Sequence, residues 1–414
     1  MNVFANHIED KIIVDNPIIF NIEIFLFILV IIFFGRKKRV NREIKLLDKD
    51  ITTEIRGLVI IFIILHHLFR IAIDNIGYNV ILYYFGMYGV GVFLLLSGYG
   101  LTISAVNKGT KNFFEKKILT IFLPFIFMNI LWVILNKFLL NINNGLLRNI
   151  TDIIGITIMD RNYWYVKYIM ICYFIFYVNN LINKEKSQKI INWILVSFLI
   201  AFNQEFGAAR YNAFSFTIGI IIALYYERVK EVFFKFEKEK CKVKVSGVLI
   251  TVLIVYSLFK LGQMGESLNN NKILTIIFIF FISILISIFG KKTLYLTLKN
   301  EKGIMVFVVL LITYFWNTDV FTYISYSLSS GLGAIMIISL YSFLNNYYTS
   351  PILSKIGSIS FELFLIHGAF MYSYDFILFR GPIEITIFTY LIFIILLAFV
   401  LNRVFFTLVN INKK

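Results

Sequence analysis

Cysteine, proline and charge are all scarce in this chain. Its 414 residues include two cysteines and four prolines, and only 15% are charged. Two cysteines do not make a disulfide framework: Cys172 lies in an apolar segment and Cys241 in a basic connection expected in the reducing cytoplasm. The shortage of charge excludes a soluble globular domain, because 59% hydrophobic residues and a mean hydropathy of +0.81 leave more apolar surface than an aqueous fold can hide. Internal repeats are not visible, so an inverted-repeat transporter gains no support. Near the histidines there is neither HExxH nor Glu-x-x-His spacing, so no metal site is expected.

What is abundant is apolar sequence cut by short basic clusters. The formal charge of +16 gathers at Arg36-Lys37-Lys38-Arg39, Lys108 to Lys117, Lys184 to Lys189 and Lys235 to Lys244. That arrangement is the positive-inside pattern, with anionic lipid of the bilayer as a partner; nucleic acid is not indicated as one. Apolar segments recur at 18–56, 57–73, 80–105, 118–140, 163–182, 190–202, 212–226, 245–261, 273–290, 303–316, 321–344, 356–379 and 384–409. The first of these contains a basic linker.

Spanning elements must be helices, since open strands cannot satisfy their backbone in lipid. The expected fold is therefore an all-α, polytopic transmembrane helix bundle of about 11–13 helices. Residues 1–45 read as an N-terminal extension with one anchor and a basic linker, and 46–414 as the membrane domain. Met1 to Pro17 is acidic, unlike a cleaved signal peptide. With the Ile18 to Phe34 anchor running inward, the lysine-rich connections fall on one side and the Asn- and Gly-rich ones on the other. This predicts a multi-pass protein of the inner (cytoplasmic) membrane, N-terminus outside and C-terminus cytoplasmic, with no soluble domain appended.

The chemistry-bearing residues are few. Arg56 precedes an apolar run that ends in His66-His67, and His67 lies about 16 Å along a helix from the arginine, near the middle of a hydrocarbon layer. His367 is placed about 18 Å in from Lys355 by the same rise. Ionisable groups at that depth point to function. A neutral imidazole can take a proton from a hydroxyl as it attacks an acyl group, although a deep histidine can also be a structural hydrogen-bonder. Adjacent His66 and His67 project about 100° apart, so His66 is expected to face a neighbouring helix. The fourth histidine, His7, is in the tail.

Other features have plain readings beside functional ones. Gly89, Gly91, Ser97, Gly98 and Gly100 suit close helix packing, and Ser97 has no adjacent base that would make it a nucleophile. Glu115-Lys116-Lys117, in the connection before Pro124, can anchor at the interface or offer cations to phosphates. Tyr163-Trp164-Tyr165 fits an interfacial aromatic belt, where a sugar could also stack. Asp160, Arg161, Glu205 and Arg210 are expected to be solvated. Glu362, about 10 Å inside the membrane edge, requires a partner or a proton.

In order, these pieces resemble the integral-membrane acyltransferase family 3, which includes bacterial O-acetyltransferases of surface polysaccharides. The matching stretches are Arg56-Gly57-Leu58 to His67, Gly91 to Tyr99, Phe113-Phe114-Glu115-Lys116-Lys117 to Pro124, Trp164-Tyr165-Val166 and Gly357 to His367. The resemblance spans about residues 50 to 409. It implies a membrane O-acyltransferase that takes an acyl group from acyl-CoA, usually acetyl-CoA, and gives it to a carbohydrate hydroxyl. Acetyl-CoA is then a donor substrate, and no bound cofactor is expected.

The resemblance ties activity to Arg56 and His67, with His367 as a further catalytic candidate that orients His67, binds acceptor or only packs. Arg56, Lys116 and Lys117 would hold donor phosphates, and envelope-assembly proteins are possible partners. Three departures stand out: Thr53 replaces an acidic residue, although Glu54 is adjacent; lysines stand where arginines are usual, losing the bidentate fork; and more helices are counted than the family's usual ten or so. Rival readings are a sugar or lipid transporter or flippase with proton-relaying histidines, and a non-enzymatic membrane scaffold.

Overall fold

A computed structural model describes residues 12–14, 16–38, 47–73, 80–110, 113–142, 144–157, 160–231, 256, 257, 260, 318–345 and 348–411. His7, Cys241 and nearly all of the expected segments at 245–261, 273–290 and 303–316 lie outside the described residues.

The fold is helical. Helix α1 (Pro17–Phe33) starts where Asn16 Oδ1 accepts the Ile19 N–H at 3.2 Å and Pro17 supplies a preset φ. Helices α2 (Lys49–Ile71), α3 (Val80–Lys108) and α4 (Phe113–Leu139) follow. After them come the short α5 (Leu146–Ile153), then α6 (Trp164–Ile182), α7 (Lys186–Phe202) and α8 (Ser215–Leu224). The later helices are α9 (Thr318–Asn345), α10 (Pro351–Ser358), α11 (Ser360–Tyr372) and α12 (Ile383–Ile411). Two-residue strand pairs tie Ile12–Ile13 to Ala72–Ile73 and Lys37–Lys38 to Tyr348–Thr349.

Among the described residues six helices are long and apolar enough to cross a bilayer: α2, α3, α4, α6, α9 and α12. The number rises to eight if two bent pairs each count as one span. Their outer faces carry Ile130, Phe138, Phe174, Leu181, Ile392 and Leu396, all exposed. Apolar side chains arrayed outward in this way suit lipid and not water. The chain is a multi-pass membrane protein.

Close helix contact is made by reciprocal glycines. A methyl on Gly57 of α2 would drive into the Leu353 carbonyl of α10, and one on Gly357 of α10 would drive into the Thr53 carbonyl of α2. Gly98 of α3 and Gly219 of α8 form the same kind of pair, each seated on the other helix's backbone through Phe216 and Leu95. Gly89 lies on Val59 and Ile63 of α2 and Gly91 on Ser330 of α9, so these glycines with Gly98 are packing surface, as their spacing suggested, while Ser97 and Gly100 line open space.

Several expectations need correction. The apolar run expected at 57–73 begins at Lys49, where Asp48 Oδ1 caps the Ile51 N–H at 2.8 Å. Arg56 is therefore two turns inside a helix and does not mark the helix start. The polar first turns are tolerated because Glu54, 1% exposed, accepts a 2.9 Å hydrogen bond from the Tyr341 hydroxyl. Lys116 and Lys117 stand on α4 and not in a connection; α4 begins at Phe113 and runs through a π-turn at Ile118–Phe122 before Pro124, whose missing N–H breaks the regular ladder.

The segment expected at 356–379 is two helices bent by 72°, so a straight rise from Lys355 does not give the depth of His367. At the break, Ser358 Oγ donates to the Lys355 carbonyl at 2.7 Å, competing with the helix ladder. Glu362 finds its partner in Asn402, whose Nδ2 donates at 2.7 Å. Arg210 is buried and not solvated: its Nε donates to the Ala201 carbonyl at 2.9 Å and its guanidinium lies 3.4 Å from the Tyr323 ring centroid.

Candidate active site

One face of α2 carries Arg56, Ile63 and His67. Steps of seven and four residues keep all three nearly in register, since eleven residues complete about three turns. Arg56 and Ile63 line a cavity of about 600 Å³. Its long wall is a stripe of α3 from Val90 through Phe93, Ser97 and Ser104 to Lys108, about 27 Å at the helical rise. Tyr165, Ile169 and Tyr173 of α6 close one side, with Thr120 in the π-turn of α4 and Phe364 of α11 completing it.

The cavity is polarised along its length. One end holds Arg56, Lys108 and Lys117, with the Lys117 Nζ also 4.6 Å from the Tyr173 ring centroid. Among the described residues no carboxylate pairs with these three cations. The Lys116 side chain lies outside the described set. The other end is apolar, walled by Ile63, Val90, Phe93 and Phe364. Ser97 stands in the cavity wall with Tyr165 and Tyr173. Tyr163 and Tyr165 are not an interfacial belt: Tyr163 is 2% exposed and Tyr165 faces the cavity.

The two deep imidazoles do meet. The His67 and His367 ring centroids are 5.2 Å apart, although the residues stand on α2 and α11. His67 Nδ1 and His367 Nε2 are both buried without a hydrogen-bond partner. His367 Nδ1 lies 2.9 Å from the Phe364 carbonyl and 3.2 Å from that of Leu363. That places its proton on Nδ1 and leaves the Nε2 lone pair free. His66 turns aside onto Gly86 of α3, as adjacency predicted.

The cavity does not run on from Arg56 to His67. Neither imidazole lines the cavity. It ends at Ile63, one turn before His67, and at Phe364, one turn before His367. The Phe364 ring centroid is 5.2 Å from that of Tyr165 and 5.6 Å from that of His367. Aromatic bulk therefore stands between the cavity and His367.

Sequence reasoning missed the far side of the imidazole pair. Tyr163 takes a 2.6 Å hydrogen bond from Trp132 Nε1 and donates at 2.7 Å to the Leu365 carbonyl, which pins α11. Asp160 and Asn162 pack directly on Gly368, the residue after His367. Asp160, expected to be solvated, is half-buried, and its Oδ1 accepts the Asn162 N–H at 2.8 Å.

Burial pushes the Asp160 carboxyl up to about 6 despite that hydrogen bond. The folded state thus holds this proton more tightly than the unfolded chain. The resulting stability is complete below the ordinary value of 3.8 and is lost as pH rises through 6. Asp160→Asn keeps the acceptor without the charge, so it should melt above the wild type at pH 8 and level with it below pH 4. Equal melting temperatures at both pH values would remove the buried-carboxylate account.

Among the described residues no three His, Cys, Asp or Glu side chains converge as a metal set. What this geometry offers is a cationic mouth, a long arm-shaped cavity and a paired imidazole beyond its blind end. A family model described as an acyltransferase domain, acyltransferase family 3, matches residues 55–238. The matched segment covers less than half of the chain and is similar to that domain. It contains Arg56, His67, the cavity stripe of α3, Lys117 and the cavity face of α6; His367 and Phe364 lie beyond it. No curated protein and no solved structure matches the chain. The matched segment thus supplies most of the cavity and one imidazole, while α11 brings the second to it.

Proposed function

We propose that this membrane acyltransferase is an O-acetyltransferase, moving an acetyl group from acetyl-CoA to a hydroxyl of a cell-surface glycan or its lipid-linked precursor. The observation that carries the reading is the polarised cavity: three cations at one mouth and an apolar end aimed at an imidazole pair. The donor has the complementary form, a polyanionic nucleotide head on a slender thioester arm. Charge-assisted hydrogen bonds from Arg56, with Lys117 and the neighbouring Lys116, would hold its phosphates, and the stripe of α3 would guide the arm.

In the reaction the acceptor hydroxyl oxygen attacks the thioester carbonyl carbon and the C–S bond breaks. His67 takes the hydroxyl proton, which returns to the departing thiolate to give free CoA. The alternative order passes the acetyl group through the His67 imidazole first, and acceptor then displaces it. His367 would orient His67 or bind the acceptor. For the thioester to reach His67, the Phe364 ring must swing aside. The basic connections support a cytoplasmic-membrane setting with the cationic mouth inside, N-terminus outside and C-terminus cytoplasmic.

Purified protein incubated with radiolabelled acetyl-CoA should release CoA and label a sugar acceptor. Mass spectrometry of surface glycans from a deletion strain should show a lost acetyl group; intact acetylation and no CoA release would leave the transporter reading standing. Arg56→Ala should raise the KM for acetyl-CoA by about 10- to 100-fold, the worth of a charge-assisted hydrogen bond. Arg56→Lys should recover part of this, keeping charge without the fork. An unchanged KM in both variants would take Arg56 out of donor binding.

A further inference from the structure

The side of the imidazole pair away from the cationic mouth has its own polar cluster. Tyr165, Ile169 and Tyr173 track the cavity along α6 toward Lys117, so residues preceding Trp164 stand at the opposite end. There the 3₁₀ turn Arg161–Tyr163 is capped by Asp160. Asn162 is 5% exposed, yet its Nδ2 has no hydrogen-bond partner. Leaving a buried amide donor unmade costs about 1–3 kcal/mol, and native structures seldom do so without a ligand, water or function to account for it.

This donor is not isolated. The Asn162 amide and both Asp160 carboxylate oxygens crowd the position a side chain on Gly368 would take. Gly368 follows His367, whose Nε2 is the second orphan, and His367 stacks near His67, whose Nδ1 is the third. The three unsatisfied buried polar atoms thus stand on neighbouring elements, Asn162 against α11 and the two imidazoles against each other, away from the cationic mouth. Asp160, which caps this turn, is half-buried.

We infer that Asp160 and Asn162 form the acceptor subsite, built for a neutral polyhydroxylated molecule such as an uncharged sugar residue. This rests on the transferase reading above and names the acceptor class for it. The chemistry is specific to hydroxyls, which both donate and accept. Asn162 Nδ2 donates to one hydroxyl oxygen, and the Asp160 oxygen not used by the Asn162 N–H accepts from a neighbouring hydroxyl. A hydroxyl held by Asn162 and Asp160 lies against the helix turn that carries His367, the ring neighbour of His67. A carboxylate at this point also repels uronate or phosphate groups on the acceptor.

The test uses the full-length protein in nanodiscs with radiolabelled acetyl-CoA. Acceptors are methyl glucoside and N-acetylglucosamine as neutral probes, and methyl glucuronoside as the anionic one. Asn162→Ala should raise the KM for the neutral sugars about tenfold, the equivalent of one lost hydrogen bond, while the KM for acetyl-CoA moves less than about twofold. Asn162→Asp, which keeps size and the turn, should behave alike and guards against misfolding. The wild type should prefer neutral sugar to the glucuronoside by about tenfold or more, and Asp160→Asn should narrow that ratio. Sugar kinetics indifferent to all three substitutions, or donor and sugar KM rising together, would overturn the subsite alone. A wild type that never releases CoA would overturn the transferase reading and the subsite with it.

Discussion

Replacing His67 by alanine should lower acetyl transfer by about 10²- to 10⁴-fold, the range a positioned general base supplies. The amount of protein in the membrane should hold, because His67 Nδ1 has no partner whose loss would unsettle the fold. His367 is different: its Nδ1 is tied to its own helix at the Phe364 carbonyl, and its carbonyl accepts from the Tyr390 hydroxyl at 2.5 Å. The 5.2 Å ring separation makes the two imidazoles coupled sites, so a double-mutant cycle is informative. If His367 works through His67, the double alanine variant should lose no more activity than His67→Ala. Transfer from radiolabelled acetyl-CoA reads all of these, and full activity in His67→Ala would end its part in the mechanism.

The second large effect is structural. Gly57→Ala or Gly357→Ala should abolish well-folded protein or lower its melting temperature sharply. Each methyl would meet a backbone carbonyl of the opposing helix, and a carbonyl in a packed helix cannot step aside as a side-chain tip can. Overpacking of ordinary cores costs about 1–3 kcal/mol, and here the relaxation open to those cores is missing. Gly145→Ala is the control, since nothing lies within 4 Å of the added carbon. Size-exclusion profiles and melting curves in detergent decide the matter; monodisperse Gly57→Ala protein with wild-type stability would contradict the close crossing of α2 and α10.

Much of this architecture is legible in the amino-acid sequence. Hydropathy marks the long spans, and the eleven-residue step from Arg56 to His67 sets both on one helical face. The meeting of His67 and His367 is not given by depth, because the 72° bend between α10 and α11 breaks the straight rise from Lys355. What stays hidden depends on partners far along the chain. The start of α2 is disguised because Glu54 looks solvent-bound until Tyr341 is beside it. The break after Ser358 follows from a local hydroxyl competing with the backbone, a choice that hydrophobic periodicity does not record. Asp160 and Asn162 look like ordinary loop residues, since their contact with Gly368 joins positions some two hundred residues apart. Arg210 misleads for the same reason: its carbonyl and its aromatic ring are supplied by tertiary packing.

Ile63, Tyr165 and Phe364 have a consequence for the cell as a whole. A tunnel open at both ends would be an electrical short circuit, letting protons and ions run down the gradients that power the cell. These three side chains close the cavity short of the imidazoles, so the cationic mouth does not open onto His67. An acetyltransferase built this way would join chemistry on the two faces of a membrane without becoming a channel.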